Sequence, residues 1–227
     1  MSAPDRDFNS ELYPFLYAAN PQTRATLDQV FAQARASTLN KCADVVALRR
    51  QLRDEYSELI AEAGAAMADR FLAGGKLLAF GNGGSATDAS DAVVDCLRPP
   101  SSDWRSLPAV ALSSDIGVVT GVGNDVGFEH VFSRQVIALG DPQDIALGFS
   151  TSGSSSNVIA ALSESGKRGM LCIALVGYDG GQVEKSGLAD YCFVARLDYV
   201  PRIQEGHATV WHSLLDVAQS SLRKRAA

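Results

Sequence analysis

Apolar and polar positions change their spacing once along this chain, near the glycine pair Gly74-Gly75. Before this pair, from about Pro21 to Ala73, apolar residues recur every three or four positions, as they do along one face of a helix. After it, short continuous apolar runs alternate with helical patterns. The change predicts two or three N-terminal helices over residues 1–75, which form an extension, and a second domain over residues 76–227.

The second part predicts an α/β fold. Continuous apolar strands separated by helices are typical of a parallel sheet that is covered by helices on both faces, in three layers. The predicted strands are Leu77–Phe80, Ala109–Leu112, Ile145–Phe149, Leu171–Val176 and Tyr191–Ala195. The predicted helices are Ala86–Leu97, Gly127–Ala138, Ser156–Ser165, Gly181–Ser186 and Arg202–Arg223.

Two loops rich in Gly and Ser each follow a predicted strand and lead into a predicted helix. Such a junction presents unpaired backbone N–H groups at the positive end of a helix dipole, and these bind anions such as phosphate. The candidate phosphate-binding residues are Asn82, Gly83, Gly84 and Ser85 in the first loop, and Ser150, Thr151, Ser152 and Ser155 in the second. Alternatively, the hydroxyl groups only cap helices and form turns. Two such loops in one parallel sheet favour a phosphorylated small molecule as ligand.

Several other classes of protein are excluded or disfavoured. The first loop has Ala86 in place of the third glycine of a dinucleotide fingerprint, and it lacks the Gly-Lys-Ser/Thr of a Walker A loop. The net charge is −6, with no dense basic patch before residues 223–225, so nucleic acid and membrane surfaces are not expected partners. The four cysteines show no CxxC spacing and the N-terminus has no apolar signal-peptide core, so a cytoplasmic location is expected.

Two helices carry candidate catalytic or metal-binding side chains. Asp88, Asp91 and Asp95 fall on one stripe of the helix that follows the first loop. The helix dipole explains Asp88, but Asp95 lies two turns further along among apolar residues and is a candidate base or metal ligand. On the last helix, Gln204 and His212 are eight positions apart and therefore share a face that could contact a ligand.

Together these residues resemble the sugar isomerase (SIS) domain proteins, specifically the phosphoheptose (sedoheptulose 7-phosphate) isomerase group. The resemblance runs from about Lys76 to Leu215 and rests on five short motifs. These are Gly-Asn-Gly-Gly-Ser-Ala at 81–86, Gly123-Asn124-Asp125, Phe132-Ser133-Arg134-Gln135, Ser150-Thr151-Ser152-Gly153, and Arg202-Ile203-Gln204-Glu205 followed by His212. The resemblance implies a flavodoxin-like sandwich with a five-stranded parallel sheet, and a homotetramer with sites shared between subunits.

The resemblance also implies roles for individual residues. Asn124 and Asp125 match a pair that contacts the substrate, and both Gly/Ser loops match the phosphate and sugar contacts. Gln204 and His212 match two of the four residues that bind a divalent metal, which is zinc in the family. At the other two positions the family has His and Glu, whereas this chain has Asp91 and Asp95. We therefore expect Asp95 and His212 to be catalytic, and Asp91, Asp95, Gln204 and His212 to be the metal ligands.

Two functions are compatible with these residues. The first is an aldose–ketose isomerase acting on a sugar phosphate, in which Asp95 is the base and His212 the partner acid. The second is a sugar-phosphate-binding regulatory module that acts through a protein partner, because two of the four metal-site residues differ from the family pattern while the phosphate loops are intact. Turnover of sedoheptulose 7-phosphate distinguishes the two.

Overall fold

The computed structural model describes residues 27–226, which contain helices and five strands. The elements in chain order are α1 (Leu27–Leu72), β1 (Leu77–Gly81), α2 (Gly84–Leu97), β2 (Ala109–Ala111), α3 (Ile116–Asp125), a 3₁₀ turn (Phe128–His130), α4 (Ser133–Leu139), β3 (Ile145–Ser150), α5 (Ser156–Lys167), β4 (Leu171–Gly177), α6 (Gly181–Ser186), β5 (Tyr191–Ala195) and α7 (Val200–Ala226). The chain divides into two units, Met1–Ala43 and Asp44–Ala227. In the first unit the described residues belong to α1, and the second unit contains the sheet.

All five strands are parallel, in the order β2-β1-β3-β4-β5. The predicted strands are confirmed, with ends that differ by at most one residue. The chain order reverses between β1 and β3, which pair directly through Phe80 and Gly148 and through Gly81 and Phe149. Ligands of open parallel sheets bind beyond the carboxyl ends of the strands at such a reversal. The two Gly/Ser loops leave these two strands at that point.

The sheet is covered on both faces, which confirms the predicted α/β sandwich. Alternate residues of a strand point to opposite faces, so Leu77 and Ala79 pack on one side and Leu78 and Phe80 on the other. The first side is covered by α2, α7 and the part of α1 that follows Leu48. The second side is covered by α4, α5 and α6.

The described part of the N-terminal region is one helix, whereas the sequence predicted two or three. Between Leu27 and Leu72 the chain has no proline and a single glycine, Gly64, so nothing interrupts the backbone hydrogen bonds. The predicted start at Pro21 lies outside the described residues. The boundary proposed between an extension over residues 1–75 and a domain over residues 76–227 stays a prediction.

The segment between β2 and β3 also differs from the prediction. The sequence predicted one helix over Gly127–Ala138, but the structure has a 3₁₀ turn followed by α4. A further helix, α3, was not predicted, because its glycines and β-branched residues argue against helix formation. Asp115 caps α3 by accepting a hydrogen bond from the backbone N–H of Val118. No helix in the described range is long and apolar enough to cross a membrane.

His207 on α7 is buried, and from this burial we predict that the stability of the protein depends on pH. Its side chain packs near the Phe149 ring and is 1% exposed, and among the described residues no group makes a hydrogen bond of good geometry to either ring nitrogen. Burial lowers the pKa of His207 to about 4, an effect that the Val176 carbonyl partly offsets. Between pH 6.5 and 4 the unfolded chain binds more protons than the folded one, so stability falls as the pH falls.

We expect the free energy of unfolding to decrease by up to about 3 kcal/mol between pH 7 and pH 4 through His207 alone. Urea unfolding at a series of pH values measures this slope. The His207→Leu variant is expected to flatten the slope, and a His130→Leu variant, which keeps the buried histidine, is expected to retain it. An equal slope in the wild-type protein and in His207→Leu would contradict this origin.

Candidate active site

The two Gly/Ser loops are tied together by a pair of amide side chains. Asn82 follows β1 and Asn157 lies in the first turn of α5, and each donates an Nδ2–H to the Oδ1 of the other, both at 2.8 Å. Asn157 is 1% exposed, and its Oδ1 also accepts the backbone N–H of Val158 at 3.0 Å. The reciprocal hydrogen bonds hold the two loops together at the point between β1 and β3 where the strand order reverses.

Neither helix that follows these loops is capped by a side chain. The residues that precede α2 and α5, Gly83 and Ser155, make no side-chain hydrogen bond to the first turn. The Ser155 hydroxyl instead lies 3.1 Å from the hydroxyl of Ser150 at the end of β3. The Ser152 hydroxyl accepts the backbone N–H of Ser154 at 3.2 Å, so the alternative in which the loop hydroxyls cap helices and form turns stays open beside phosphate binding. In the first turns, the Ser85 and Ala86 N–H groups donate to the carbonyls of Asn82 and Gly83, and the Val158 N–H donates to Asn157. An anion at this point would therefore be bound by the remaining groups of the two loops, which include the hydroxyls of Ser150 and Ser155.

Helices α2 and α7 run side by side in the same direction, which two contacts demonstrate. Gln204 on α7 donates to Asp88 on α2, and Trp211 donates to Asp95, so both contacts join residues that are 116 positions apart. Seven residues separate the two contacts on each helix, a distance of about 10 Å. The first contact lies next to Gly84 in the first Gly/Ser loop, and the second lies two turns further along.

The first contact links Gln204 to the Gly-rich loop. Its Nε2 donates to Asp88 Oδ2 at 3.2 Å, and a Cβ added to Gly84 would lie only 2.3 Å from that nitrogen. A side chain at position 84 would therefore displace the Gln204 amide from this position. Burial raises the pKa of Asp88, the Gln204 hydrogen bond lowers it and the negative charge of Asp91 raises it further.

At the second contact Asp95 also lies beside His212, the other predicted catalytic residue. Asp95 Oδ2 lies 3.5 Å from His212 Nε2 and accepts the Trp211 Nε1–H at 3.0 Å. The Asp95 side chain is 25% exposed and that of His212 is 66% exposed, so a ligand can reach both. They line a cavity of about 180 Å³ whose other walls are formed by Pro100, Trp104, Leu215 and Asp216. A carboxylate and an imidazole at this distance can act together as base and acid.

Comparison with known proteins places the fold and these residues in one family. The SIS domain family model matches residues 42–177. The phosphoheptose isomerase of Geotalea daltonii is 42% identical over 168 residues, which cover 74% of this chain and 86% of that protein. The chain belongs to the SIS domain family and to its phosphoheptose isomerase group.

Other relatives extend the match over more of the chain. The phosphoheptose isomerase of Geobacter sp. strain M21 is 39% identical over 196 residues, covering 86% of this chain and 97% of that protein. Among solved structures, the phosphoheptose isomerase of Neisseria gonorrhoeae superposes with a TM-score of 0.75 at 36% identity. That superposition covers 83% of this chain and 99% of the solved one.

The four predicted metal ligands of this SIS protein do not converge. Within residues 27–226 no three His, Cys, Asp or Glu side chains lie close enough together to hold a metal ion. Gln204 and His212 share a face as predicted, but they have different partners two turns apart, and Asp91 is exposed. A zinc ion that takes all its ligands from one chain therefore does not fit these residues, and the metal stays a prediction.

The predicted substrate pair Asn124-Asp125 lies in the last turn of α3 rather than in a loop. Asn124 donates to the Asp125 carboxylate at 2.7 Å, and both residues are exposed. The described contacts connect neither residue to the Gly/Ser loops or to Asp95. Their role as substrate contacts stays a prediction.

Three residues of the site were not among the predicted site residues. Asn157 fell within the predicted helix Ser156–Ser165 without a role, and Asp88 was explained by the helix dipole. Trp211 was not considered, although a signal was present: it follows Gln204 by seven positions, which places both residues on the same side of α7. What the spacing alone does not show is that α2 lies opposite that side.

Proposed function

We propose that this protein is an aldose–ketose isomerase that acts on a sugar phosphate, with sedoheptulose 7-phosphate as the first substrate to test. The observation that carries the proposal is the arrangement along α2 and α7. The Gly/Ser loop that we propose to bind the phosphate lies at the start of α2, and the Asp95–His212 pair lies about 10 Å further along the two helices. The names of the relatives support the same reaction and the same substrate.

The side chains suggest how the reaction proceeds. The phosphate binds at the first turns of α2 and α5, and Ser150 and Ser155 donate hydroxyl hydrogen bonds to it. The sugar extends along the helices, so its carbonyl end lies at Asp95 and His212. Asp95 removes a proton from the carbon beside the carbonyl, while His212 protonates the carbonyl oxygen to give an enediol. His212 then removes the proton of the neighbouring hydroxyl as Asp95 returns its proton to the other carbon.

The experiment is turnover of sedoheptulose 7-phosphate by the purified protein in D₂O, followed by NMR. Isomerisation through an enediol predicts an aldose product that carries deuterium at C2, and unphosphorylated sedoheptulose is expected to react far more slowly. The assay is run on metal-stripped protein and again with added zinc, manganese or magnesium. Absence of both turnover and deuterium exchange under all these conditions would refute the proposal. Thermal stabilisation by the sugar phosphate without turnover would favour the regulatory module instead.

We also propose that the protein is a homo-oligomer, a tetramer by resemblance. Val94 and Leu97 flank Asp95 on α2 and are 57% and 53% exposed, which leaves apolar surface beside the site. A cavity of about 180 Å³ is also smaller than the ~300–1,000 Å³ of typical ligand sites, which supports further walls from a second subunit. Sedimentation equilibrium measures the assembly, and a monomer at micromolar concentration would contradict it.

A further inference from the structure

Trp211 contacts Asp95 but takes no part in the proton transfers proposed for the isomerase reaction. We infer that Trp211 is a positioning residue that holds the Asp95 carboxylate beside His212. The inference rests on the proposed isomerase function, because the advantage of a fixed carboxylate is a base aimed at the substrate.

The hydrogen bond between Trp211 and Asp95 constrains both side chains. Trp211 is 2% exposed, and its indole N–H donates to Asp95 Oδ2 at 3.0 Å. A buried indole N–H without an acceptor would cost about 1–3 kcal/mol, so the bond constrains both partners. The indole is a donor only, so it can hold the carboxylate without itself accepting the transferred proton.

Trp211 and His212 meet the same oxygen of Asp95. The oxygen that accepts the indole hydrogen bond is the same Oδ2 that lies 3.5 Å from His212 Nε2. The buried Trp211 therefore determines where this oxygen stands relative to the more exposed imidazole. The other oxygen of Asp95 is left for the substrate proton.

The side chain of Asp95 is short for its position in the family. The family pattern has Glu where this chain has Asp95, so the carboxylate is one methylene closer to α2. Trp211 reaches it from the facing helix, seven residues after the contact between Gln204 and Asp88. A misplacement of about 1 Å can cost around a hundredfold in rate, so a shorter carboxylate must be held in place to serve as a base. The indole of Trp211 provides that constraint.

The kinetic test is Trp211→Phe, which removes the N–H and keeps an aromatic ring in the core. We expect kcat to fall about 10- to 100-fold with little change in KM, because the phosphate contacts are remote. In an Asp95→Asn background the same substitution is expected to change kcat less than about twofold, since the group on which Trp211 acts is gone. Leu222→Ala, a buried truncation further along α7, is the control for lost stability.

An NMR measurement tests the contact without any turnover. The chain has two tryptophans, so ¹⁵N-labelled protein gives two indole N–H signals, and Trp211→Phe identifies the one from Trp211. We expect this signal to move upfield in Asp95→Asn, because an amide oxygen is a weaker acceptor than a carboxylate, and to stay in place in Asp216→Asn.

These measurements test the role of Trp211 and the proposed isomerase function separately. Unchanged kcat in Trp211→Phe would overturn the inference, as would an equal loss of kcat in a Leu222→Ala protein of similar melting temperature. If the wild-type protein turns over no sugar phosphate, the proposed function fails separately. The indole signal then decides whether Trp211 holds Asp95, and an unshifted signal in Asp95→Asn overturns the inference.

Discussion

Replacing Asp95 with Asn is expected to lower kcat for isomerisation of the sugar phosphate about 10²- to 10⁴-fold, the usual contribution of a general base. The amide has nearly the same shape as the carboxylate, and its oxygen can still accept the Trp211 N–H. It cannot remove a proton from carbon, so the loss should appear in kcat rather than in substrate binding. The NMR assay in D₂O measures the rate, and isothermal calorimetry with sugar phosphate measures the binding.

The control is Asp216→Asn, which alters another carboxylate that lines the same cavity. Asp216 is four residues after His212 on α7, and it is exposed. A much smaller loss is expected from this change. If Asp216→Asn abolished turnover while Asp95→Asn did not, the base would have to be reassigned from α2 to α7.

Replacing Gly153 with Ala is expected to lower the free energy of unfolding by about 2–4 kcal/mol and to weaken sugar-phosphate binding. Gly153 lies in the second loop at φ +61°, in the left-handed region. An added Cβ would lie 2.1 Å from the carbonyl oxygen of Gly180, so one backbone segment must move. The movement displaces the loop that contains Ser150 and Ser155. Urea unfolding and a titration with sugar phosphate measure the two effects.

Gly166 near the end of α5 provides a matched control. A Cβ added there meets no atom within 4 Å, and the residue lies within the helix. Gly166→Ala is therefore expected to stabilise the protein by up to about 1 kcal/mol through helix propensity alone and to leave binding unchanged. If Gly153→Ala kept the stability and the sugar-phosphate binding of the wild-type protein, the prediction would be wrong. The second loop would then tolerate a different backbone path.

The strands and most helices were predictable because their signals are local. A strand that is buried on both faces must be apolar throughout, and β3, β4 and β5 have this pattern within five to seven residues. Helix α3 could not be predicted from propensity, because Gly117, Gly121 and Gly123 all disfavour it. It forms nevertheless, with Asp115 as its cap and with Val119 and Val122 packed against the apolar residues on the second side of the sheet. Tertiary packing here outweighs local preference.

The α/β class, the two Gly/Ser loops and the candidates Asp95 and His212 can be read from the sequence, because each depends on residues close together in the chain. Which of these residues meet depends on how the helices and strands pack. The Asn82–Asn157 pair requires β1 to lie beside β3, and the contacts at Gln204 and Trp211 require α2 and α7 to pack in parallel across 116 residues of chain. Contacts of that kind follow from how whole faces of helices and strands bury their apolar surface, and no short stretch of sequence encodes them.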